Sequence, residues 1–272
     1  MTSENSKSPI PAPIPAPIPA PILERVRHEL KKRDLEVKTV ERLTPSMIRV
    51  TLIGEELADF TSLAADDHMK LFVPDPSGMM VMRDYTPRAY DNEARTLTVD
   101  FAVHDAGPAT AWALSVKPGD HLQIGGPRGS AVLKGDIARY VLIADETGLP
   151  ALGRWVEEMG PETEVEAFAT VPGAEDEQNF QTDAELTMHW IHRSEKKAAS
   201  PTPFLDSIKD VSCGEGTYIW IAAEARVAKA IRTFFLEEKG HPLQWMKAAG
   251  YWVHGQADSS EKSISDAPAK PA

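Results

Sequence analysis

Only one cysteine, Cys213, occurs in the chain. No intrachain disulfide can form, which fits a reducing cytoplasm. A cysteine-ligated iron–sulfur cluster takes about four thiolates and is excluded; Cys213 reads as a packed or loop residue. No apolar run reaches the roughly 20 residues of a membrane-spanning helix. The first residues lack a basic region followed by an apolar core, so neither a secretory signal nor membrane insertion is expected, and the expected location is the cytoplasm. Positive charge is scarce. Lys and Arg number 29 against 41 Asp and Glu, a net charge of −12. That balance argues against general nucleic-acid binding and against an anionic membrane surface as the main partner. No G-x-G-x-x-G or P-loop is present, and the metal-site spacings H-E-x-x-H and C-x-x-C are missing.

Proline is plentiful, at 22 residues. Every second residue from Pro9 to Pro21 is proline, in a Pro-Ala-Pro-Ile repeat. Proline fixes φ and removes donors, so this segment favours an extended polyproline II tail. Residues 1–22 are expected to form a disordered, semi-rigid tail, and the Ser-, Lys- and Pro-rich residues 258–272 a second one. Between them lies enough chain for one large domain or two modest ones.

Two patterns divide the remainder. From residue 23 to 138, short period-2 runs such as Met47-Ile48-Arg49-Val50-Thr51-Leu52 and Thr96–Val103 alternate with Pro/Gly turns, which implies a small antiparallel β-barrel. One helix, Pro108 to Ser115, interrupts it, with proline at its first turn. From 139 to 257 the rhythm changes. Tyr140-Val141-Leu142-Ile143-Ala144 is a continuous apolar run, as in a strand buried on both faces. Helices are expected over about Leu149–Met159 and Arg226–Lys239, with strands near 165–169, 187–192 and 218–223. Strands alternating with helices imply a doubly wound parallel sheet.

Three segments carry candidate chemistry. In Arg83-Asp84-Tyr85-Thr86-Pro87-Arg88, Arg83 and Tyr85 share one strand face. An arginine fork suits a phosphate, the Tyr85 ring suits a flavin face, and Thr86 suits the ring edge. Next, Val103-His104 closes a strand and Gly107-Pro108-Ala109-Thr110 opens a helix, whose start favours an anion. Thr110 can offer a hydroxyl; His104 can hydrogen-bond a cofactor or simply end the strand. The two segments together read as a site for FAD rather than FMN, because the helix start can take a pyrophosphate. Lys70, Arg83, Arg88 and Arg128 are spread through this half and can converge as a basic patch. Third, Asp145-Glu146-Thr147-Gly148 follows the first parallel strand, at the crevice where doubly wound folds bind ligands. Its carboxylates can bond ribose or flavin, or merely cap the helix. His192-Arg193, with Lys196 and Lys197, can hold the 2′-phosphate of NADPH or form a solvated loop, so NADPH is favoured slightly over NADH.

In this order and spacing the segments resemble the siderophore-interacting proteins, ferric-siderophore reductases of the ferredoxin–NADP reductase-like superfamily. The likeness runs from about Leu35 to Gly255. It includes His68–Pro74, Gly126-Pro127-Arg128-Gly129-Ser130, Trp220–Glu224 and Gly250-Tyr251-Trp252. It implies FAD held by Arg83, Tyr85, Thr86, Val103, His104, Gly107, Ala109, Thr110, Asp145, Thr147 and Trp252. It implies NADPH or NADH as electron donor, met at Arg193 and Glu224, with a reduced ferredoxin as the alternative donor. Lys70 and Arg128 are carried over as contacts to an anionic ferric siderophore. Where the family often has arginine after the Tyr-Trp pair, Val253-His254 follows here, which makes His254 a substrate-side candidate. The implied activity is reduction of siderophore-bound Fe(III), with release of Fe(II), by a monomer. A siderophore-binding or redox-partner flavoprotein and a broad-range flavin or ferric reductase are the alternatives. No catalytic group beyond the flavin and no protein-held metal is expected.

Overall fold

The computed structural model describes residues 18–103, 107–256, 260, 261 and 264. His104 and most of both expected tails lie outside these residues.

The first half is antiparallel. Its strands are β1 (Ile22–Arg27), β2 (Lys32–Thr44), β3 (Met47–Ile53), β4 (Met69–Pro74), β5 (Met80–Tyr85), β6 (Ala89–Asp91), β7 (Thr96–Ala102), β8 (His121–Gly125) and β9 (Gly129–Lys134). Seven of them form one sheet in the order β5-β4-β8-β2-β3-β7-β6, while β1 and β9 make a separate ribbon. The alternation works as a one-sided sheet requires. Leu35 and Val37 are buried while Asp34 and Glu36 face water. Val81 and Tyr85 at one edge and Tyr90 near the other pack on a single apolar cluster. The sheet therefore curls around that cluster as a half-barrel; among the described residues β5 and β6 do not pair to close it. Helix α1 (Pro108–Ser115) seals the concave side, burying Ala109 and Ala113.

The second half is a five-stranded parallel sheet in the order β12-β11-β10-β13-β14. Its strands are β10 (Arg139–Ala144), β11 (Glu164–Val171), β12 (Glu185–His192), β13 (Thr217–Glu224) and β14 (Met246–Trp252). Helices α2 (Leu149–Glu157), α3 (Thr202–Ile208) and α4 (Ala225–Thr233) connect them, and separate apolar clusters cover the two faces. The order reverses between β10 and β13, so the topological switch point lies beyond the ends of those two strands. The expected helix over Arg226–Lys239 is shorter: α4 stops at Thr233 and a single π-helical turn, Phe234–Glu238, follows.

The proline-rich tail ends earlier than expected. Ile18 packs against the second-half core, its N–H donates to Glu215 Oε1 at 2.7 Å, and Pro21 is buried. Ile22 begins β1. These residues belong to the fold because Ile18 packs on the second-half core and Pro21 is buried.

Buried charges tie the halves together. Arg88 forks onto Glu157 of α2 at 2.7 and 2.8 Å, with Asp100 3.6 Å from its Nε. Asp100 also receives both ends of the Arg49 fork at 2.7 Å. Arg154 of α2 donates to Ser62 Oγ and to the Ala64 and Pro87 carbonyls at 2.8–3.2 Å. Asp66 accepts the Trp220 indole N–H at 2.9 Å and pairs with Lys247. Arg88 is therefore an interior bridge, not a member of a surface basic patch.

Candidate functional site

The flavin motif falls at the end of edge strand β5. Arg83 pairs in register with Leu71, and Tyr85 with Met69. Leu71 and Met69 are core residues, so Arg83 and Tyr85 face the concave side. The Tyr85 ring lies 4.7 Å from Phe101, centroid to centroid, and Phe101 lies 5.5 Å from Trp112 of α1. This row of rings joins the motif strand to the helix. Burial pushes the Tyr85 phenol up, so it stays neutral. Thr86 is buried just past the strand. Arg83 Nη1 donates to Met82 O at 2.9 Å.

Helix α1 begins as the sequence implies. Gly107 is its N-cap and contributes no side chain, and Pro108 has no N–H to place. Ala111 N donates to Gly107 O at 3.0 Å, so Ala109 and Thr110 carry the N–H groups that lack an intrahelical acceptor. Among the described residues, a Cβ built on Gly107 would meet nothing within 4 Å. Open space in front of helix-start donors is what an anionic group needs. The Thr110 hydroxyl is turned toward Ala102 O at 3.4 Å and tethers helix to strand. Val103 packs on the core, and its N–H is taken by Ser46 O. Site residues from β5 through α1 thus fit a flavin dinucleotide.

The other half of the site lies at the carboxyl ends of the parallel strands. Asp145 follows β10 and is 1% exposed. Its carboxylate accepts from Thr147 N and Oγ1, Glu224 N and Trp252 Nε1. Glu224, fully buried at the end of β13, caps α4 through Oε2, and its Oε1 accepts His254 N at 3.1 Å. Both of its oxygens are used within the chain, so Glu224 is a helix cap here rather than an open nicotinamide contact. Trp252 and exposed His254 lie just beyond, with rings 6.1 Å apart.

Arg193 departs from the expected solvent-facing cluster. It is 5% exposed, and its Nη2 donates to Glu146 Oε2 at 2.7 Å. A buried guanidinium is stable only with such a partner. Burial, and then the Asp145 charge, push the Glu146 carboxyl from an ordinary 4.5 to about 7, against the pull of Arg193. Its folded value lies above its ordinary one. The stability it contributes is therefore full below about 4.5 and lost as pH rises through about 7. Glu146→Gln should lack this slope, so wild type should lose melting temperature relative to the variant across that window. Parallel melts in matched buffers would test it; identical slopes would contradict the shift.

Lys70 stands on the opposite face of the sheet from Tyr85, 3.0 Å from Asp84 Oδ1. Its other cross-strand partner is Gly125, three residues before exposed Arg128. The two cations are thus on neighbouring chain at one rim, and Arg128 has no carboxylate partner among the described residues. No group of three or more His, Cys, Asp or Glu side chains is placed to hold a metal ion among them. No described helix is long and apolar enough to cross a membrane.

Comparison with known proteins accounts for both halves. Residues 137–255 match the siderophore-interacting protein family, and residues 36–81 and 77–131 match the siderophore-interacting FAD-binding domain. The NADPH-dependent ferric-chelate reductase of Escherichia coli (strain K12) is 33% identical over 250 residues, covering 84% of this chain and 96% of that protein. The chain belongs to the siderophore-interacting protein family. Among family structures, a siderophore utilization protein from T. fusca superposes with a TM-score of 0.80 at 35% identity, over 88% of this chain and 99% of that one. The siderophore-interacting protein SipS from Aeromonas hydrophila gives 0.71 at 28% identity, over 85% and 93%. The half-barrel and parallel sheet are thus the family's two-part fold.

Proposed function

We propose that this chain is an FAD-dependent reductase that passes electrons from NAD(P)H to siderophore- or chelate-bound Fe(III), releasing Fe(II). The observation that carries the reading is the row of rings Tyr85, Phe101 and Trp112, which joins the Arg83–Tyr85 strand to α1, a helix whose start leaves backbone N–H groups without an intrahelical acceptor. Arg83 and the α1 backbone would hold the pyrophosphate, and Tyr85, Thr86 and Trp252 would surround the ring. Bound there, FAD would supply the conversion of a hydride into single electrons. The protein excludes water with the Tyr85, Phe101 and Trp112 rings and brings the donor to the switch point. Iron arrives with its own ligands, so the chain needs no metal cage.

With Arg193 committed to Glu146, exposed Lys196 and Lys197 on the turn after β12 are the side chains left to meet a 2′-phosphate. We place the enzyme in the cytoplasm, where NAD(P)H is supplied, and read it as a monomer. Anaerobic stopped-flow with NADPH, NADH or reduced ferredoxin tests the donor. Bleaching of the flavin by a pyridine nucleotide supports the reading; bleaching by ferredoxin alone would replace it with the redox-partner alternative.

Two substitutions test the assigned residues. Arg83→Ala should weaken FAD binding about tenfold or more, the scale of one charge-assisted contact of about 1.5–3 kcal/mol. Unchanged flavin occupancy on dilution would remove Arg83 as a phosphate ligand. Lys70→Ala with Arg128→Ala should raise KM for an anionic ferric chelate and blunt its salt dependence, since such attraction is screened within about 8 Å at physiological ionic strength. Flavin reduction by the nucleotide should hardly change. Wild-type behaviour of the double variant at two salt concentrations would move the substrate elsewhere, with exposed His254 the next candidate.

A further inference from the structure

We propose that Asp145 is a positioning residue that fixes the Trp252 indole at the mouth of the crevice before the flavin arrives, and not a ligand of the flavin. The proposal rests on the reading of Trp252 as a flavin neighbour. An ionised carboxylate offers about four acceptor sites. Asp145 has four donors on it: Thr147 N at 2.9 Å, Thr147 Oγ1 at 2.6 Å, Glu224 N at 2.8 Å and Trp252 Nε1 at 2.8 Å. It is 1% exposed, so no capacity and no path remain for a ribose hydroxyl or a ring nitrogen.

The donors come from three places in the sheet. Thr147 follows β10, Glu224 ends β13 and Trp252 ends β14. One carboxylate therefore brackets the carboxyl ends of three neighbouring strands. An indole has a single N–H, so holding that hydrogen bond holds the ring's direction. The bracket extends one step further, because Glu224, whose N–H Asp145 accepts, receives the His254 N–H on Oε1. The Trp252 ring and the backbone at His254, just past β14, are thus both held from the end of β10. A ring held in place before binding costs less to order when the ligand arrives.

The isosteric change Asp145→Asn turns two of the four acceptor sites into donors. Whichever way the amide is placed, N–H faces either the Thr147 pair or the Glu224 and Trp252 pair. The test follows the indole directly. In indole-¹⁵N-labelled apoprotein, the Trp252 N–H signal is identified by its loss in Trp252→Phe. It should exchange slowly with solvent, and in Asp145→Asn it should shift and exchange faster. FAD dissociation constants, from flavin fluorescence titration, should rise about tenfold in each single variant. The double variant should bind no worse than Trp252→Phe alone, because Asp145 acts through Trp252. Additive losses would make Asp145 a direct flavin contact and overturn the proposal. So would rapid exchange of the Trp252 N–H in wild-type apoprotein, or unchanged FAD affinity in Trp252→Phe. If Asp145→Asn does not fold, the wild-type exchange rate and the Trp252→Phe titration decide the matter alone. A chain that binds no FAD in any form would sink the reductase reading, while the indole signal would still report on the bracket.

Discussion

Gly148→Ala is expected to lower stability by about 3 kcal/mol, at the upper end of overpacking costs. Gly148 has φ −88° and ψ −14°, a conformation open to any residue, so the backbone angles contribute nothing. The cost is steric. A Cβ there would lie 2.6 Å from the Ala222 carbonyl oxygen, 3.0 Å from Ala144 Cβ and 3.1 Å from Ala222 Cβ. Those atoms belong to the two central strands, β10 and β13, which pair with each other and are buried on both faces. None of them is the tip of a flexible chain that can swing aside. Relief requires α2 to lift from the sheet, which would also pull Arg154 and Glu157 from their partners across the molecule. At about 2–4 °C per kcal/mol for a chain of this size class, the melting temperature should fall by about 10 °C. Gly160→Ala is the control. Its Cβ meets nothing within 4 Å, and it should change stability by less than about 0.5 kcal/mol. Equal melting temperatures for the two variants would show that α2 is not seated as described.

Local patterns in the chain carry much of this architecture. The run Tyr140–Ala144 reads as a strand buried on both faces and is one, because five consecutive apolar residues leave no polar face. Gly107-Pro108 marks the start of α1 to the residue, since both act through the backbone. What stays hidden depends on distant partners. Arg88 looks like a surface cation because Glu157 lies 69 residues away, on a helix of the other half. Arg193 looks solvated for the same reason, with Glu146 47 residues off. Strand β14, Met-Lys-Ala-Ala-Gly-Tyr-Trp, contains no β-branched residue. Only Tyr251 and Trp252 favour a strand locally; pairing beside β13 makes the rest one. Helix α3 is only seven residues long, too short for a 3.6-residue period to stand out. At the site, Asp145 could be seen to be important but not how. Whether a carboxylate meets a ligand or its own chain is set by which N–H groups converge on it, and these come from Glu224 and Trp252, 79 and 107 residues further on.

Gly107→Val should reduce FAD affinity about tenfold to a hundredfold while lowering apoprotein stability by only about 1 kcal/mol, the scale of the N-cap preference for glycine over valine. The two halves of that expectation come from one observation. Gly107 sits at φ −80° and ψ 161°, extended backbone that valine adopts readily. No atom of the described residues lies within 4 Å of the position its Cβ would take. Among the described residues no contact is lost or compressed, so folding should register little beyond the weaker N-cap. The same open space lies in front of the Ala109 and Thr110 N–H groups, where a phosphate would come closest to the helix. Branched methyls there would hold the anion off, and a helix-start contact falls away within the first turn. A second variant separates bulk from charge. Gly107→Ala fills less of the space and should weaken binding by a smaller factor, with the order Gly, Ala, Val preserved. Thr110→Val is the counterpart, because its hydroxyl serves Ala102 O rather than the phosphate. It should cost apoprotein stability, about 1 kcal/mol for one lost hydrogen bond, and leave FAD affinity nearly unchanged. Flavin titrations and thermal melts on the three variants give the readout. If Gly107→Val binds FAD like wild type, the dinucleotide does not approach the start of α1, and the pyrophosphate must lie along Arg83 alone.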